Sequence, residues 1–405
     1  MAQFNMANRT VLISGGGIAG PTLAFWLKAG GFQPTLIEQA PRLRTGGYVI
    51  DFWGLGYWIA EKMGLEADIN HVGYHVREMC IVNGSGKRVA GFGTNVFGEL
   101  TNNRYVTLGR SDLSRLLFEK IKDTTEVFFD NEITGLDEQA EGVCVLLKNG
   151  DERAFDLVIG ADGLHSGVRR LAFGPQDQFE KKLGYAVAAF EVEGYRPRDE
   201  DVYLMYGQPG RMVGRFTMHH NRTLFLFVFT VDRDPLPTAL GQQKAMLRKK
   251  YKDGRWECPR ILAELDRTAE LYFDSVSQVM MNTWSRGRLA LTGDAAFCVS
   301  LLAGQGSALA MISAYVLAGE LLKADGRHQE AFFRYETFLR DYIRTKQQGA
   351  ARFAAALAPR TQFGLLFRNL VTNAFAVPGL ARLAIGKEIT DAARLPDYRW
   401  PSLPI

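Results

Sequence analysis

The chain has 405 residues, 47% of them hydrophobic, enough for two well-filled cores or one large core with an annex. Its formal net charge of +4 is small for that size, and Arg248–Lys252 is the densest basic cluster, so no nucleic-acid surface is expected. Four cysteines (Cys80, Cys144, Cys258 and Cys298) lack C-x-x-C spacing, which argues against a metal site or disulfide framework and for a reducing, cytoplasmic setting.

The apolar run Thr10–Ile13 predicts a strand and Pro21–Ala29 a helix, with Gly15-x-Gly17-x-x-Gly20 at the turn between them. That run is too short for a signal peptide, and nowhere does an apolar span of about twenty residues predict a transmembrane helix. The three glycines suit a dinucleotide: Gly15 for a tight turn, Gly17 for backbone approach to a pyrophosphate, Gly20 for helix packing on strand. Phosphates would rest on the free N–H groups of the helix start. A second strand, Pro34–Ile37, ends in Glu38, whose carboxylate can accept hydrogen bonds from an adenosine ribose.

Farther on, Asp156–Gly160 reads as an apolar strand that breaks into the turn Asp162-Gly163. Strands at Leu183–Val192, Asp201–Tyr206, Arg211–Met218 and Thr223–Val231, separated by turn signals, predict an antiparallel sheet inserted between parts of a parallel one. Phe225, Phe227 and Phe229 share one face, which lines a pocket or packs a core. His219 and His220 read as a solvated hairpin tip. Helices follow near Gly241–Tyr251 and Pro259–Glu270. Phe273–Met281 and Arg288–Leu291 are expected to complete the dinucleotide-binding unit and end in Gly293-Asp294. Gly304-Gln-Gly306 then opens a helix over Ser307–Leu322. A long bridging core helix is expected over Gln329–Leu357, with Phe332, Phe333, Tyr335, Phe338, Leu339 and Tyr342 near helical spacing. Phe363–Ala376 and Pro378–Ile385 are apolar helices that suit a lid, a dimer face or a membrane-surface contact.

The three glycine-aspartate signatures, in this order, resemble those of the class A flavin monooxygenases, the para-hydroxybenzoate hydroxylase fold, over about Thr10 to Arg340. The resemblance implies an α/β chain: a Rossmann-like FAD-binding domain interleaved with an antiparallel-sheet substrate domain, plus C-terminal helices. The FAD-binding domain would comprise 1–75, 102–178 and 273–327, the substrate domain 76–101 and 179–272, and the bridging and lid helices 328–405. Asp162 and Gly163 would contact FAD and the nicotinamide donor, Asp294 the ribityl chain, and Arg110 the flavin phosphates. Gly46-Gly47-Tyr-Val-Ile-Asp51, Ser285-Arg-Gly287-Arg-Leu and Tyr315-Val-Leu-Ala-Gly-Glu320-Leu are similar to the tetracycline-inactivating and polyketide-tailoring branch. In that branch residues matching Arg44 and Asp51 contact cofactor. The helix opening at Gly304 and Gly306 would turn its positive end toward the flavin ring.

The activity so implied is FAD- and NAD(P)H-dependent hydroxylation of an aromatic or polycyclic small molecule by O2, through a flavin C4a-hydroperoxide. No Ser-His-Asp or Cys-His pattern stands in a nucleophile context, no metal is expected, and the chemistry is the cofactor's. His165 would serve local structure. No integral membrane segment is implied, and monomer and homodimer stay open. One departure concerns the loop after Gly293-Asp294, which carries Leu301 where the family usually has a proline beside the reactive face of the flavin. Leu301 motivates an alternative, a cyclase-like protein whose FAD is structural. A halogenase is disfavoured, since the W-x-W-x-I-P signature is absent.

Overall fold

The structure, a computed structural model, describes residues 7–43, 46–101, 104–231, 235–377, 379 and 394–402. Its first sheet has the strand order Ser285–Arg286, Leu289–Leu291, Leu157–Gly160, Thr10–Ser14, Gln33–Ile37, Glu126–Phe128. All neighbours pair in parallel except the outermost, Ser285–Arg286. Val11, Leu12 and Ile13 are fully buried, which explains why this strand is a continuous apolar run rather than an alternating one.

The helix Ala19–Ala29 packs closely against Gly306–Lys323. By length and composition Gly306–Lys323 could cross a membrane, yet most of it is buried inside this fold, as expected of a core helix. Its Tyr315 meets Trp26 at 5.0 Å, and Trp400 of the C-terminal segment lies 4.7 Å from Trp26. Gly319 makes that docking possible, because a Cβ there would fall 2.1 Å from the Tyr398 ring. Tyr398 in turn donates to buried Glu320 at 2.8 Å. The helix His328–Leu357 buries Phe332, Tyr335 and Leu339 against this core, whereas Phe333 points to solvent, one place off the expected apolar stripe.

The second sheet runs Tyr272–Val279, Glu180–Glu193, Arg222–Thr230, Arg211–Thr217, Val202–Gln208, Glu78–Val82, Arg88–Gly93. The four expected antiparallel strands are its centre, and Glu78–Val82 joins them in parallel with Val202–Gln208. Tyr272–Val279 does not join the parallel sheet, as the sequence reading had it. It pairs antiparallel with the edge of Glu180–Glu193 that Arg222–Thr230 leaves open. On that side the sheet is extended by the short Leu289–Leu291 and, antiparallel to it, Ser285–Arg286.

Period-two alternation divides the second sheet's faces. Phe225, Phe227 and Phe229 are buried with Phe190, beneath the helices Leu240–Tyr251 and Cys258–Arg267. They are core, not pocket. Leu224 and Leu226, on the other face, line a cavity between the two sheets. The helix Gln362–Ala374 covers the far edge, where Asn373 accepts from the Gly91 N–H at 3.1 Å and so occupies an otherwise open sheet edge. Its outer face leaves Phe363 78% exposed, with Leu366 and Leu370 beside it. The helix expected at Pro378–Ile385 falls, but for residue 379, outside the described residues.

The glycine turn is backbone packed on backbone. A Cβ at Gly20 would lie 1.9 Å from the Gly15 carbonyl oxygen, and one at Gly15 (φ +113°) would lie 2.5 Å from that of Ala161. Gly20→Ala must push helix from strand and is expected to cost about 1–3 kcal/mol. The measurement is the urea midpoint at unchanged m-value, and a midpoint equal to wild type would refute it.

Candidate functional site

The strands Thr10–Ser14, Leu157–Gly160 and Leu289–Leu291 end side by side, so the three signature turns meet at one edge of the parallel sheet. There they border a cavity of about 1830 Å3 that extends to the second sheet. Every expected site residue lines it except two. Gly20 sits behind the turn, and Arg44 lies outside the described residues.

Gly17 faces the Arg110 guanidinium, whose Nη2 would be 3.5 Å from a Cβ at that glycine. Burial depresses the Arg110 pKa, but Tyr48, Tyr272, Asp294 and Glu38 around it outweigh this and hold it above its ordinary value. Glu38 bends back on the turn: Oε2 accepts from the Gly16 N–H at 2.6 Å and Oε1 from the Ala40 N–H at 2.9 Å. Its carboxylate therefore fixes the glycine turn as well as facing the cavity.

In the second turn Asp162 accepts from the Val168 N–H at 3.1 Å through Oδ2, while buried Oδ1 has no hydrogen-bond partner among the described residues. Gly163, at φ +80°, has among the described residues no atom beyond its own chain neighbours within 4 Å of where a Cβ would stand. Arg169, almost wholly buried, bonds the Ala295 carbonyl at 2.8 Å and the Leu164 carbonyl at 2.6 Å. It thereby clamps the second turn to the third, a role the sequence did not reveal. His165, from the same turn, reaches Asp274 of the second sheet at 3.2 Å, and that carboxylate raises the imidazole pKa. His219 and His220 are exposed at a hairpin end, as expected.

Asp51, on the strand Val49–Trp53, gathers three hydroxyls on Oδ1: Thr107 at 2.5 Å, Tyr105 at 2.9 Å and Tyr203 at 3.3 Å. Burial pushes the Asp51 pKa up, and the three bonds pull it back. Burial and the neighbouring Asp51 keep both phenols well above their ordinary pKa, so both remain donors. Tyr105 and Thr107 face the same side of their strand, a period-two signal the sequence held, but nothing in it linked them to Tyr203. Around them Trp53, Phe92, Phe97 and Phe375 make an aromatic lobe of the cavity. Gln362–Ala374 contributes Phe367, Val371 and Thr372 to its wall.

The loop after the third turn holds another residue that the sequence did not single out. Ser300 adopts φ +120°, is 1% exposed, and its Oγ has no hydrogen-bond partner among the described residues. Leu301 follows as the first residue of the 3-10 turn Leu301–Ala303.

A family model described as an FAD binding domain matches residues 8–331. A protein of Legionella longbeachae named flavin-dependent monooxygenase is 31% identical over 394 residues, 96% of this chain and 98% of that protein. The crystal structure of tetracycline destructase Tet(55) superposes with a TM-score of 0.82 at 31% identity, covering 98% of this chain and 100% of the other. Klebsiella pneumoniae HpxO, solved with FAD and uric acid, shares the fold at 22% identity and a TM-score of 0.79, over 96% of this chain and 97% of its own.

Asp294 gives the site a measurable pH dependence. Burial raises its pKa above the ordinary 3.8, with Arg110 and Cys298 pulling the other way. The folded state thus binds this proton more tightly than the unfolded state. Stability from this group is full at low pH and falls as pH rises from the unfolded value through the folded one. FAD-free Asp294→Asn is therefore expected to resist urea better than wild type at neutral pH, with the advantage vanishing below about pH 4. Urea titrations of both proteins across that range test this, and parallel curves would show that the carboxylate costs nothing in the fold.

Proposed function

This chain belongs to the FAD binding domain family and is a class A flavin-dependent monooxygenase; we propose that it uses NAD(P)H and O2 to hydroxylate an aromatic or polycyclic, tetracycline- or polyketide-like compound. The observation that carries this reading is the aromatic lobe opening into the same cavity as the signature turns. At about 1830 Å3 the cavity exceeds the 300–1,000 Å3 or so of a single small-molecule site, which leaves room for cofactor and substrate together. The tetracycline destructase likeness supports a fused-ring substrate.

The residues fit FAD. A side chain at Gly17, Gly163 or Gly304 would project into or toward the cavity, and Gly163 and Gly304 are open to it. Asp162 Oδ1 is a buried acceptor awaiting a donor. Glu38 would take the adenosine ribose, since a carboxylate with two bonds made has further lone pairs. The glycine-turn N–H groups and Arg110 would hold the pyrophosphate, Asp162 and Gly163 the flavin and the donor, and Asp294 the ribityl chain. Gly304 and Gly306 would bring the positive end of the Gly306–Lys323 helix to the flavin ring. Asp51 would reach the cofactor from the substrate side.

When bound, FAD supplies the redox chemistry, accepting hydride and activating oxygen. The chain's own residues do the rest. Trp53, Phe92 and Phe97 present flat apolar surface that orients an aromatic ring. Tyr105 and Tyr203 spend their protons on Asp51 and turn oxygen lone pairs toward a substrate hydroxyl. Phe367 and Val371 exclude water on the open side.

Purified full-length protein should be yellow, and phenolic or tetracycline-like compounds should accelerate its NAD(P)H consumption. Bound FAD with no stimulation by any such compound would overturn the reading. Asp294→Ala should retain FAD more weakly, by about 0.5–1.5 kcal/mol. Equal retention would remove Asp294 from the ribityl chain.

Leu301→Pro tests the loop. The first residue of a helical turn tolerates proline's fixed φ. Stiffening this wall should lower the ratio of hydrogen peroxide to hydroxylated product. A higher ratio would mean that leucine is the adapted residue and shapes the pocket.

A further inference from the structure

We infer that the Ser300 hydroxyl is a cofactor ligand that hydrogen-bonds the polar rim of the bound flavin ring. The inference rests on the FAD reading above and goes beyond it, because no signature motif includes this residue.

Two costs coincide at Ser300. Its φ of +120° is a conformation that glycine adopts freely and a serine adopts only under strain. Its hydroxyl is also buried, at 1% residue exposure, with no partner among the described residues for its proton or its lone pairs. A fold seldom tolerates an unpaired buried polar group, and a strained residue carrying one marks a place where a ligand completes the bonding. Glycine here would relieve the strain and remove the orphan hydroxyl, so the serine contributes nothing to the ligand-free fold.

Position points to the flavin rather than the substrate. Ser300 lies on the short loop joining Asp294 to the glycines Gly304 and Gly306, so both ends of its loop belong to the cofactor side. The loop is held from behind by Gln278, whose Nε2 donates to the Val299 carbonyl at 3.0 Å. Its next two residues, Leu301 and Leu302, turn to the second sheet and pack with Tyr185, Val187 and Met212. The sheet-facing side of the loop is thus apolar, and Ser300 itself borders the cavity, so its buried hydroxyl is left for the ring.

The test compares full-length wild type, Ser300→Ala and Ser300→Gly. Alanine removes the hydroxyl and keeps the strain, whereas glycine removes both. FAD affinity is measured by reconstitution of the FAD-free protein, alongside the visible spectrum of the bound flavin and the thermal midpoint without FAD. Loss of the ring hydrogen bond predicts that both variants bind FAD about 3- to 10-fold more weakly, with the same displacement of the flavin absorption bands. Without FAD both should melt no lower than wild type, glycine highest.

Wild-type affinity and spectrum in both variants would overturn the inference while leaving the FAD reading intact. So would loss of affinity in glycine alone, which would trace the effect to the backbone conformation and not to the hydroxyl. Unchanged FAD affinity with weakened binding of a phenolic ligand would overturn it too, and assign the hydroxyl to substrate. A wild type that takes up no FAD would overturn the parent reading itself.

Discussion

The contact between the Gly20 position and the Gly15 carbonyl sets the geometry of this molecule. Only the absence of a side chain lets the Ala19–Ala29 helix ride that close to the strand before it. The approach fixes where the helix N-terminus stands relative to the ends of three parallel strands. The second turn meets the same limit, because Gly15 also lies against the Ala161 backbone. Two of the signature turns are therefore locked by backbone contact, and Arg169 ties the third to them through two carbonyls. The cavity wall that carries the signature turns is held together by these contacts.

Against this wall the fold accumulates electrostatic cost. Asp51, Asp162 and Asp294 all have their pKa raised by burial, and Arg110 keeps its charge among tyrosines and carboxylates. The charges of the three carboxyls therefore do not strengthen the ligand-free core. Such a set of desolvated acids and one cation around a large cavity is the arrangement expected where binding, not folding, decides residue identity. Stability comes from elsewhere: the aromatic cluster of Trp26, Tyr315 and Trp400, and the phenylalanine face under Leu240–Tyr251.

The opposite wall is a sheet whose two faces have different tasks. One face is core, packed by Phe225, Phe227 and Phe229, and the other faces the cavity through Leu224 and Leu226. A one-residue shift of register would exchange them, so the packing of the phenylalanines also sets which side chains meet a ligand. The Gln362–Ala374 helix closes this wall at its edge and at the same time exposes Phe363, Leu366 and Leu370 outward.

Local patterns determined much of this in the sequence. Strand, glycine turn, helix and terminal acid follow one another within thirty residues, and each is short-range chemistry: turn geometry, apolar periodicity, free N–H groups. The positions of Gly15, Gly17, Glu38, Asp162 and Asp294 on one cavity followed from these signals. What only the tertiary structure decided depends on pairing between distant segments. Tyr272–Val279 reads equally well as a strand of either sheet, and only the free edge of Glu180–Glu193 assigns it. The alternating phenylalanines carry a face but not its direction, which the covering helices supply. Tyr203 meets Asp51 across 152 positions of chain. Ser300 looks ordinary until its backbone angle and missing partner are seen, because strain and burial are properties of the surroundings and not of the residue.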